Sequence, residues 1–151
     1  MPGSFDPFTL GHWDIAVRAS RLFEAVIIGV GVHSGKQSLF SVQTRLEMAR
    51  GAVESLANVE VALMDGVMVD FCKAHGATTV VRGARSGSDF EAEWAMAMMN
   101  LSLGNVETVI FPASGSVGFI SSSLVRSVAQ AGGDVTAYVP RNVSIVMQKE
   151  R

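Results

Sequence analysis

A continuous apolar run at residues 25–32 constrains the fold more than any other feature of the sequence. Such a run, rich in valine and isoleucine, is typical of a strand buried on both faces, as in parallel sheets covered by helices. Shorter apolar runs follow at residues 59–63, 78–81 and 107–111, and segments with helical apolar spacing lie between them. The alternation predicts an α/β fold with a doubly wound parallel sheet, in a single domain that spans residues 1–151.

The N-terminal segment is rich in proline and glycine and runs into an amphipathic helix. Pro2, Gly3 and Pro7 are expected to interrupt regular structure. Thr9 is a candidate N-cap, which places His12 in the first helical turn. Unpaired backbone N–H groups and the positive end of the helix dipole meet in that turn, so a bound anion would be stabilised there. The plainer alternative is a turn and a capped helix with a solvent-exposed histidine.

Composition excludes several classes of function. With 48% apolar residues and a net charge of −2, the chain has enough core for one domain and no overall basic field to attract nucleic acid or anionic membranes. The single cysteine, Cys72, cannot form an internal disulfide and is predicted to be a buried structural thiol. We see no secretory signal and no apolar run long enough to span a membrane, so a cytoplasmic location is predicted.

Polar residues that suit phosphate binding follow several predicted strands. Lys36 comes after the first apolar run, and Arg82 and Arg85 come after the third. Three serines at residues 121–123 open a helix after the last run. Individually, the lysine could be a solvated loop charge, the arginines members of surface ion pairs and the serines mere N-caps. Because carboxyl ends of parallel strands share one edge, these groups are expected to meet near His12, where together they favour a polyphosphate site.

The motifs of the chain resemble those of a known family. The run Ser4-Phe5-Asp6-Pro7, followed by Thr9-Leu10-Gly11-His12, resembles the T-x-G-H signature of the nucleotidylyltransferase superfamily. Further motifs resemble, in order, the phosphopantetheine adenylyltransferase family: Ser38-Leu39-Phe40 with Arg45, Arg82-Gly83-x-Arg85 with Asp89-Phe90-Glu91-x-Glu93, Met99-Asn100, and Phe119-Ile120-Ser121-Ser122-Ser123 with Arg126. The resemblance extends from Pro2 to about Asn142, although Ala84 stands where the family often has leucine and Ser86-Gly87-Ser88 vary that loop.

The resemblance implies a Rossmann-like nucleotidylyltransferase fold with a five-stranded sheet. Its first strand lies in the middle of the sheet, immediately before the N-terminal segment, so we expect a few apolar residues upstream of Met1 to complete that strand. The implied reaction converts ATP and 4′-phosphopantetheine to dephospho-coenzyme A and pyrophosphate, by in-line attack without a covalent intermediate.

The resemblance also implies a cofactor and an assembly. Mg²⁺ is expected to bind mainly through the ATP phosphates, with no dedicated set of protein ligands. The implied assembly is a homohexamer, a dimer of trimers, and the implied regulator is coenzyme A as a feedback inhibitor. Nucleic acid and membranes are not expected partners.

Residue roles follow from the resemblance position by position. The predicted catalytic residues are His12, Lys36 and Arg85. The residues predicted to bind phosphopantetheine are Ser4, Lys36, Met68, Arg82 and Asn100. The residues predicted to bind ATP are Ser4, Phe5, Gly11, His12, Gly83, Arg85, Glu93, Ser121, Ser122 and Ser123. In these roles His12 stabilises charge on the α-phosphate, and Lys36 holds the attacking phosphate.

Three other functions remain open. Another cytidylyl- or adenylyltransferase of the superfamily would use glycerol phosphate or nicotinamide mononucleotide as acceptor, and the Arg82 to Glu91 motif argues against it. A non-catalytic nucleotide-sensing module would be expected to have lost His12 or the serine and arginine signature, and both are intact. A flavodoxin-like electron carrier would need no histidine at the start of the first helix.

Overall fold

The computed structural model describes residues 1–32 and 38–149, so Lys36 lies outside the described residues. The strands in the described ranges are β1 (Pro2–Gly3), β2 (Val26–Gly31), β3 (Val59–Met64), β4 (Thr79–Ala84) and β5 (Glu107–Pro112). The helices are α1 (Leu10–Ser20), α2 (Val42–Val53), α3 (Met68–Ala74), α4 (Gly87–Gly104), α5 (Ser122–Gln130) and α6 (Arg141–Lys149), with a short 3₁₀ helix at Thr136–Tyr138.

The strand pairs in the described residues are all parallel, as predicted. Strands β1, β2 and β3 form one ladder in the order β1-β2-β3, and β4 pairs with β5 in a second ladder. Strand β1 also lies beside β4, where the Arg82 guanidinium donates a 2.6 Å hydrogen bond to the Pro2 carbonyl. The predicted parallel sheet is confirmed in direction, while its five strands form ladders of three and two because β1 contributes two residues.

Helices cover both faces of the strands, which confirms the doubly wound arrangement. Neighbouring residues of β4 show this, since successive strand side chains point to opposite faces. Val80 packs in a buried cluster with Val69 of α3, whereas Val81 packs in another cluster with Ile15 of α1. The largest buried cluster joins β2 with α2, α5 and α6, and its fully buried members are Phe8, Ala16, Ile28, Val30, Met48, Ala49 and Val143.

Two strand boundaries differ from the sequence prediction. Pro2 and Gly3 form β1 and do not belong to the following loop. Proline is tolerated at the first position of a strand, and a Cβ atom on Gly3 would lie 2.9 Å from Phe5 Cζ. Arg82 and Gly83 lie within β4 instead of after it, because their backbones pair with β5.

Helix N-caps were predicted with one error. The structure confirms Thr9 as the cap of α1 and confirms that the three serines open α5, where Ser121 is the cap. Ser41, a residue type that favours this position, caps α2. The three-residue spacing of Ser88 and Glu91 predicts a capping box at the start of α4, and that prediction is wrong. Helix α4 begins earlier, and its cap is Ser86, whose Oγ accepts a 3.2 Å hydrogen bond from the Asp89 backbone N–H.

Helix α4 has an apolar stripe that the strands leave largely uncovered. Phe90, Trp94 and Met98 of this stripe are 50%, 57% and 46% exposed. Asn100 is the one buried residue of the helix. Strands β4 and β5 and helix α3 cover one side of a helix that is apolar around most of its circumference.

Cys72 is buried on α3 and forms no disulfide. Burial raises the pKa of its thiol, which fits the predicted structural role. No helix within residues 1–32 and 38–149 has the length and apolar character needed to cross a membrane.

Candidate active site

A cavity of about 380 Å³ lies where β1 and β4 end and where α1 and α5 begin. All the residues predicted to bind ATP line this cavity, namely Ser4, Phe5, Gly11, His12, Gly83, Arg85, Glu93, Ser121, Ser122 and Ser123. The structure therefore brings together segments that are far apart in the sequence. Lys36, which was predicted to join them, lies outside the described residues.

A second cavity, of about 350 Å³, shares Ser4, Arg82 and Glu93 with the first. Met68 and Asn100, which were predicted to line the pantetheine arm, both line it. Its lining also includes further methionines, so a charged space adjoins a largely apolar one. Asn100 is 4% exposed and is the most buried polar residue in the second lining.

His12 is held in a defined tautomer in the first turn of α1. The Thr9 backbone N–H donates to His12 Nδ1 at 3.0 Å, and Thr9 Oγ1 accepts from the His12 backbone N–H at 3.4 Å. Because Nδ1 accepts a hydrogen bond, the neutral ring carries its proton on Nε2 and is a donor there. Burial, and secondly the charges of Arg82 and Arg85, lower the pKa of His12 to about 4. The imidazole is therefore neutral at pH 7.

The turn after β1 is held by contacts from α5. Phe5 adopts a φ of 48° and is 2% exposed, which is an uncommon conformation for a bulky residue and requires support from its surroundings. Arg126 donates to the Asp6 carbonyl at 2.5 Å, and Ser122 Oγ donates to the Pro7 carbonyl at 2.8 Å. These bonds join the turn to the first and second turns of α5.

Two arginines reach the main cavity already paired with carboxylates. Arg82 donates to both oxygens of Glu93, at 2.7 and 2.6 Å. Arg85 donates to the two oxygens of Asp89, at 2.8 and 3.3 Å. Hydrogen bonding from the Arg85 side chain is the main cause that lowers the pKa of Asp89. Each guanidinium is thus oriented by a carboxylate from α4.

Sequence reasoning gave Asp89 no role, although the structure makes it the partner of a predicted catalytic residue. The signal was present, because Arg85 and Asp89 are four residues apart across the start of a helix. Glu93 was predicted on the ATP side, and it lines the main cavity while it pairs with Arg82. The sequence reasoning also passed over the structural contacts of Asp6 and Arg126.

The N-terminus of α5 supplies backbone donors at the cavity. Ser121 Oγ caps the helix by accepting from the Leu124 N–H at 3.2 Å. Ser123 Oγ lies 3.1 Å from Ser121 Oγ, in hydrogen-bond contact. The first-turn N–H groups and the positive end of the helix dipole favour an anion at this position.

Residues 1–32 and 38–149 contain no group of three or more His, Cys, Asp or Glu side chains arranged to hold a metal ion. The carboxylates nearest the arginines, Asp89 and Glu93, are each hydrogen-bonded to a guanidinium. Binding of Mg²⁺ through ATP stays a prediction.

Comparison with known proteins gives first the class and then the family. A family model described as cytidylyltransferase-like matches residues 1–128. The crystal structure of a bifunctional NMN adenylyltransferase/ADP ribose pyrophosphatase from Francisella tularensis aligns with 99% of this chain and 47% of its own, with a TM-score of 0.74 at 14% identity. That likeness shows the Rossmann-like fold. Fold and site together define a nucleotidylyltransferase of the cytidylyltransferase-like class.

Curated relatives place the chain more narrowly. The chain is 45% identical over 147 residues to phosphopantetheine adenylyltransferase of Cutibacterium acnes, an alignment that covers 97% of this chain and 94% of that protein. It is 46% identical over 150 residues to the protein of the same name from Methylococcus capsulatus, with 99% and 93% covered. The chain belongs to the phosphopantetheine adenylyltransferase family.

Proposed function

We propose that this enzyme transfers the adenylyl group of ATP to 4′-phosphopantetheine and forms dephospho-coenzyme A and pyrophosphate, the penultimate step of coenzyme A synthesis. The observation that carries the proposal is the meeting of a neutral imidazole donor, two arginines and a helix N-terminus in one cavity. The adjoining, largely apolar cavity has the character that a pantetheine arm requires. Family membership at about 45% identity supports the same substrates.

The chemistry needs no protein nucleophile. An oxygen of the phosphopantetheine phosphate forms a bond to the α-phosphorus of ATP, while the bond from that phosphorus to the pyrophosphate oxygen breaks. No proton has to move in this step, so the enzyme acts by positioning and by stabilising charge. His12 donates its Nε2–H to the α-phosphate and strengthens that bond as charge develops on the oxygens.

Different residues bind the two substrates on either side of the α-phosphate. Arg85 and the first turn of α5, with Ser122 and Ser123, bind the β- and γ-phosphates and then the leaving pyrophosphate. Asp89 orients the Arg85 fork before ATP arrives, since the two side chains are paired in this structure. Arg82, oriented by Glu93, contacts phosphopantetheine at the junction of the two cavities.

The remaining predicted residues complete the two substrate sites. Ser4 holds the attacking phosphate from the turn after β1, and Lys36 is proposed to share that role on family resemblance. Met68 and Asn100 contact the pantetheine arm, in line with their place in the second cavity. Gly11 gives ATP a close approach to the backbone, because it has no side chain where it lines the main cavity.

Cofactor, assembly, regulation and location are part of the same proposal. Mg²⁺, bound mainly through ATP oxygens, supplies additional neutralisation of the triphosphate. The enzyme is a cytoplasmic homohexamer that coenzyme A inhibits. The half-exposed apolar side chains along α4 support subunit contact, and they are Phe90, Trp94, Met96, Met98, Met99 and Leu103. Light scattering that gives the mass of a monomer at micromolar concentration would reject the hexamer.

A substrate panel tests the reaction itself. Purified protein is incubated with ATP, Mg²⁺ and 4′-phosphopantetheine, and both pyrophosphate and dephospho-coenzyme A are quantified. Nicotinamide mononucleotide and glycerol phosphate replace the acceptor in parallel reactions, and CTP replaces ATP. We expect turnover only in the reaction that contains ATP and 4′-phosphopantetheine, and none with the other acceptors or with CTP. Turnover confined to another acceptor, or to CTP, would reject the proposed substrates while leaving the transferase class intact.

A further inference from the structure

Arg45 is a buried guanidinium that has no role in the site described so far. The apolar spacing of α2 predicts that Arg45 lies on the polar side of the helix, but the residue is 3% exposed. The ion pairs among residues 1–32 and 38–149 do not include it. Burial lowers the pKa of Arg45, while the nearby Asp6 carboxylate opposes that effect. A buried charge is costly unless hydrogen bonds offset its desolvation.

Those hydrogen bonds go to the backbone of three separate segments. Arg45 donates to the Phe40 carbonyl at 3.3 Å, to the Ser4 carbonyl at 2.5 Å and to the Gly31 carbonyl at 2.9 Å. Ser4 follows β1 and lines both cavities. Gly31 ends β2, and Phe40 precedes α2. In the sequence, Gly31 and Phe40 lie on either side of Lys36.

The backbone of Phe40 is also held at its N–H group, by a second buried charged residue. The Asp6 carboxylate, which is 4% exposed, accepts hydrogen bonds from the backbone N–H groups of Leu39 at 2.9 Å and Phe40 at 3.0 Å. The N–H of Phe40 is therefore bound by Asp6 and its carbonyl by Arg45. Two charge-assisted bonds of this kind fix the position of the chain more strongly than neutral contacts do.

We propose that Arg45 is a positioning residue that fixes the phosphopantetheine side of the active site. The proposal rests on the proposed function, because it assigns Arg45 to the substrate side where Ser4 and Arg82 meet. Arg45 donates to the Ser4 carbonyl and to no group of α5 among its described hydrogen bonds, so we expect its main effect on the acceptor phosphate that Ser4 holds in the proposed reaction. A planar guanidinium can serve three carbonyls at once, which the point charge of lysine cannot do in the same geometry.

Arg45→Lys and Arg45→Met test the inference, with Arg50→Lys and Arg50→Met as matched controls on an exposed position of the same helix. Steady-state kinetics with both substrates and thermal melts are measured on all four variants. We expect both Arg45 variants to raise the KM for 4′-phosphopantetheine by about tenfold to hundredfold, the scale for hydrogen bonds to a charged group. The KM for ATP should change by less than about threefold. The Arg50 variants should match the wild type.

A purely structural role gives a different pattern. It would lower the melting temperature of the Arg45 variants while leaving both KM values of the folded enzyme unchanged, and that result overturns the inference. An equal rise in both KM values overturns it too, as does failure of both variants to fold, which would make Arg45 a residue of the core alone.

Hydrogen exchange separates this inference from the proposed reaction. The amides of Leu39 and Phe40, which donate to Asp6, should exchange faster in the Arg45 variants than in the Arg50 controls. If the wild type fails to form dephospho-coenzyme A, the proposed function fails. The exchange rates still test whether Arg45 holds the segment that contains Leu39 and Phe40. Unchanged exchange at both amides would show that Arg45 does not hold this segment.

Discussion

Replacing His12 by alanine removes the Nε2–H donor that lines the main cavity. In the proposed reaction this donor acts on the α-phosphate, the group at which attack takes place. We expect His12→Ala to lower kcat by about 10²–10³-fold, the scale for losing one preorganised donor, with a smaller change in the KM for ATP. His75→Ala, at an exposed histidine outside the main cavity lining, is the control.

The pH dependence distinguishes hydrogen-bond donation from acid catalysis by the same ring. Because the pKa of His12 is lowered to about 4, the imidazole stays neutral through the whole range in which an ordinary histidine titrates. The kcat of the wild type should therefore show no ionisation of His12 between pH 8 and about pH 5.5. An ionisation near pH 6.5 that disappears in His12→Ala would refute the neutral donor.

The same pKa predicts how stability depends on pH. In the unfolded chain the histidine pKa is 6.5, so the side chain takes up a proton as pH falls below that value. Folded His12 stays neutral until about pH 4. The folded state therefore loses stability as pH falls through this window, by about 3 kcal/mol in total.

Subtraction isolates the contribution of His12. Urea unfolding of the wild type and of His12→Ala is measured at several values between pH 7 and pH 4, and the difference between the two free energies of unfolding is plotted. The stability advantage of the wild type should shrink steadily towards pH 4, and a difference that is constant with pH would contradict the lowered pKa.

Three further predictions concern single residues. Lys36→Ala should weaken 4′-phosphopantetheine binding by roughly 1–3 kcal/mol and leave ATP affinity nearly unchanged in calorimetry, and the reverse pattern would reject its role. Arg85→Lys should raise the KM for pyrophosphate in the reverse reaction because lysine lacks the planar fork; if Arg82→Lys alone raises it, the two roles are exchanged. Gly104→Ala should lower the free energy of unfolding by about 1–3 kcal/mol in denaturant titration, because its Cβ would clash with Val69 Cγ1.

The sheet and the helix caps could be predicted because their signals are local. The apolar run at residues 25–32 contains all of β2, and its β-branched residues fit a strand covered on both faces. Thr9 and Ser121 were identifiable as caps because a side-chain oxygen can bond to an N–H group within the next turn. Convergence of the strand ends then followed from the rule for parallel sheets.

The extent of β1 and the surroundings of α4 could not be predicted in this way. Pro2 and Gly3 carry loop propensity, and their strand conformation depends on pairing with residues of β2. The stripe containing Phe90 and Trp94 has the spacing of a core-facing helix. Periodicity identifies which side chains share a face, but it does not tell whether the same chain or another one covers that face.

The pairing of carboxylates was not predicted from the sequence, and it explains how an anion site tolerates acidic neighbours. A free carboxylate near the triphosphate would repel it by Coulomb interaction, strongly so in a partly buried site. Asp6 is bound by two backbone amides, and Asp89 and Glu93 are bound by Arg85 and Arg82. These carboxylates fix the turn and the two guanidinium forks. The hydrogen bonds and positive charges of their partners offset their negative charge. A sequence pattern counts such residues as opposing charges, whereas the geometry makes them the supports that hold the phosphate-binding groups in place.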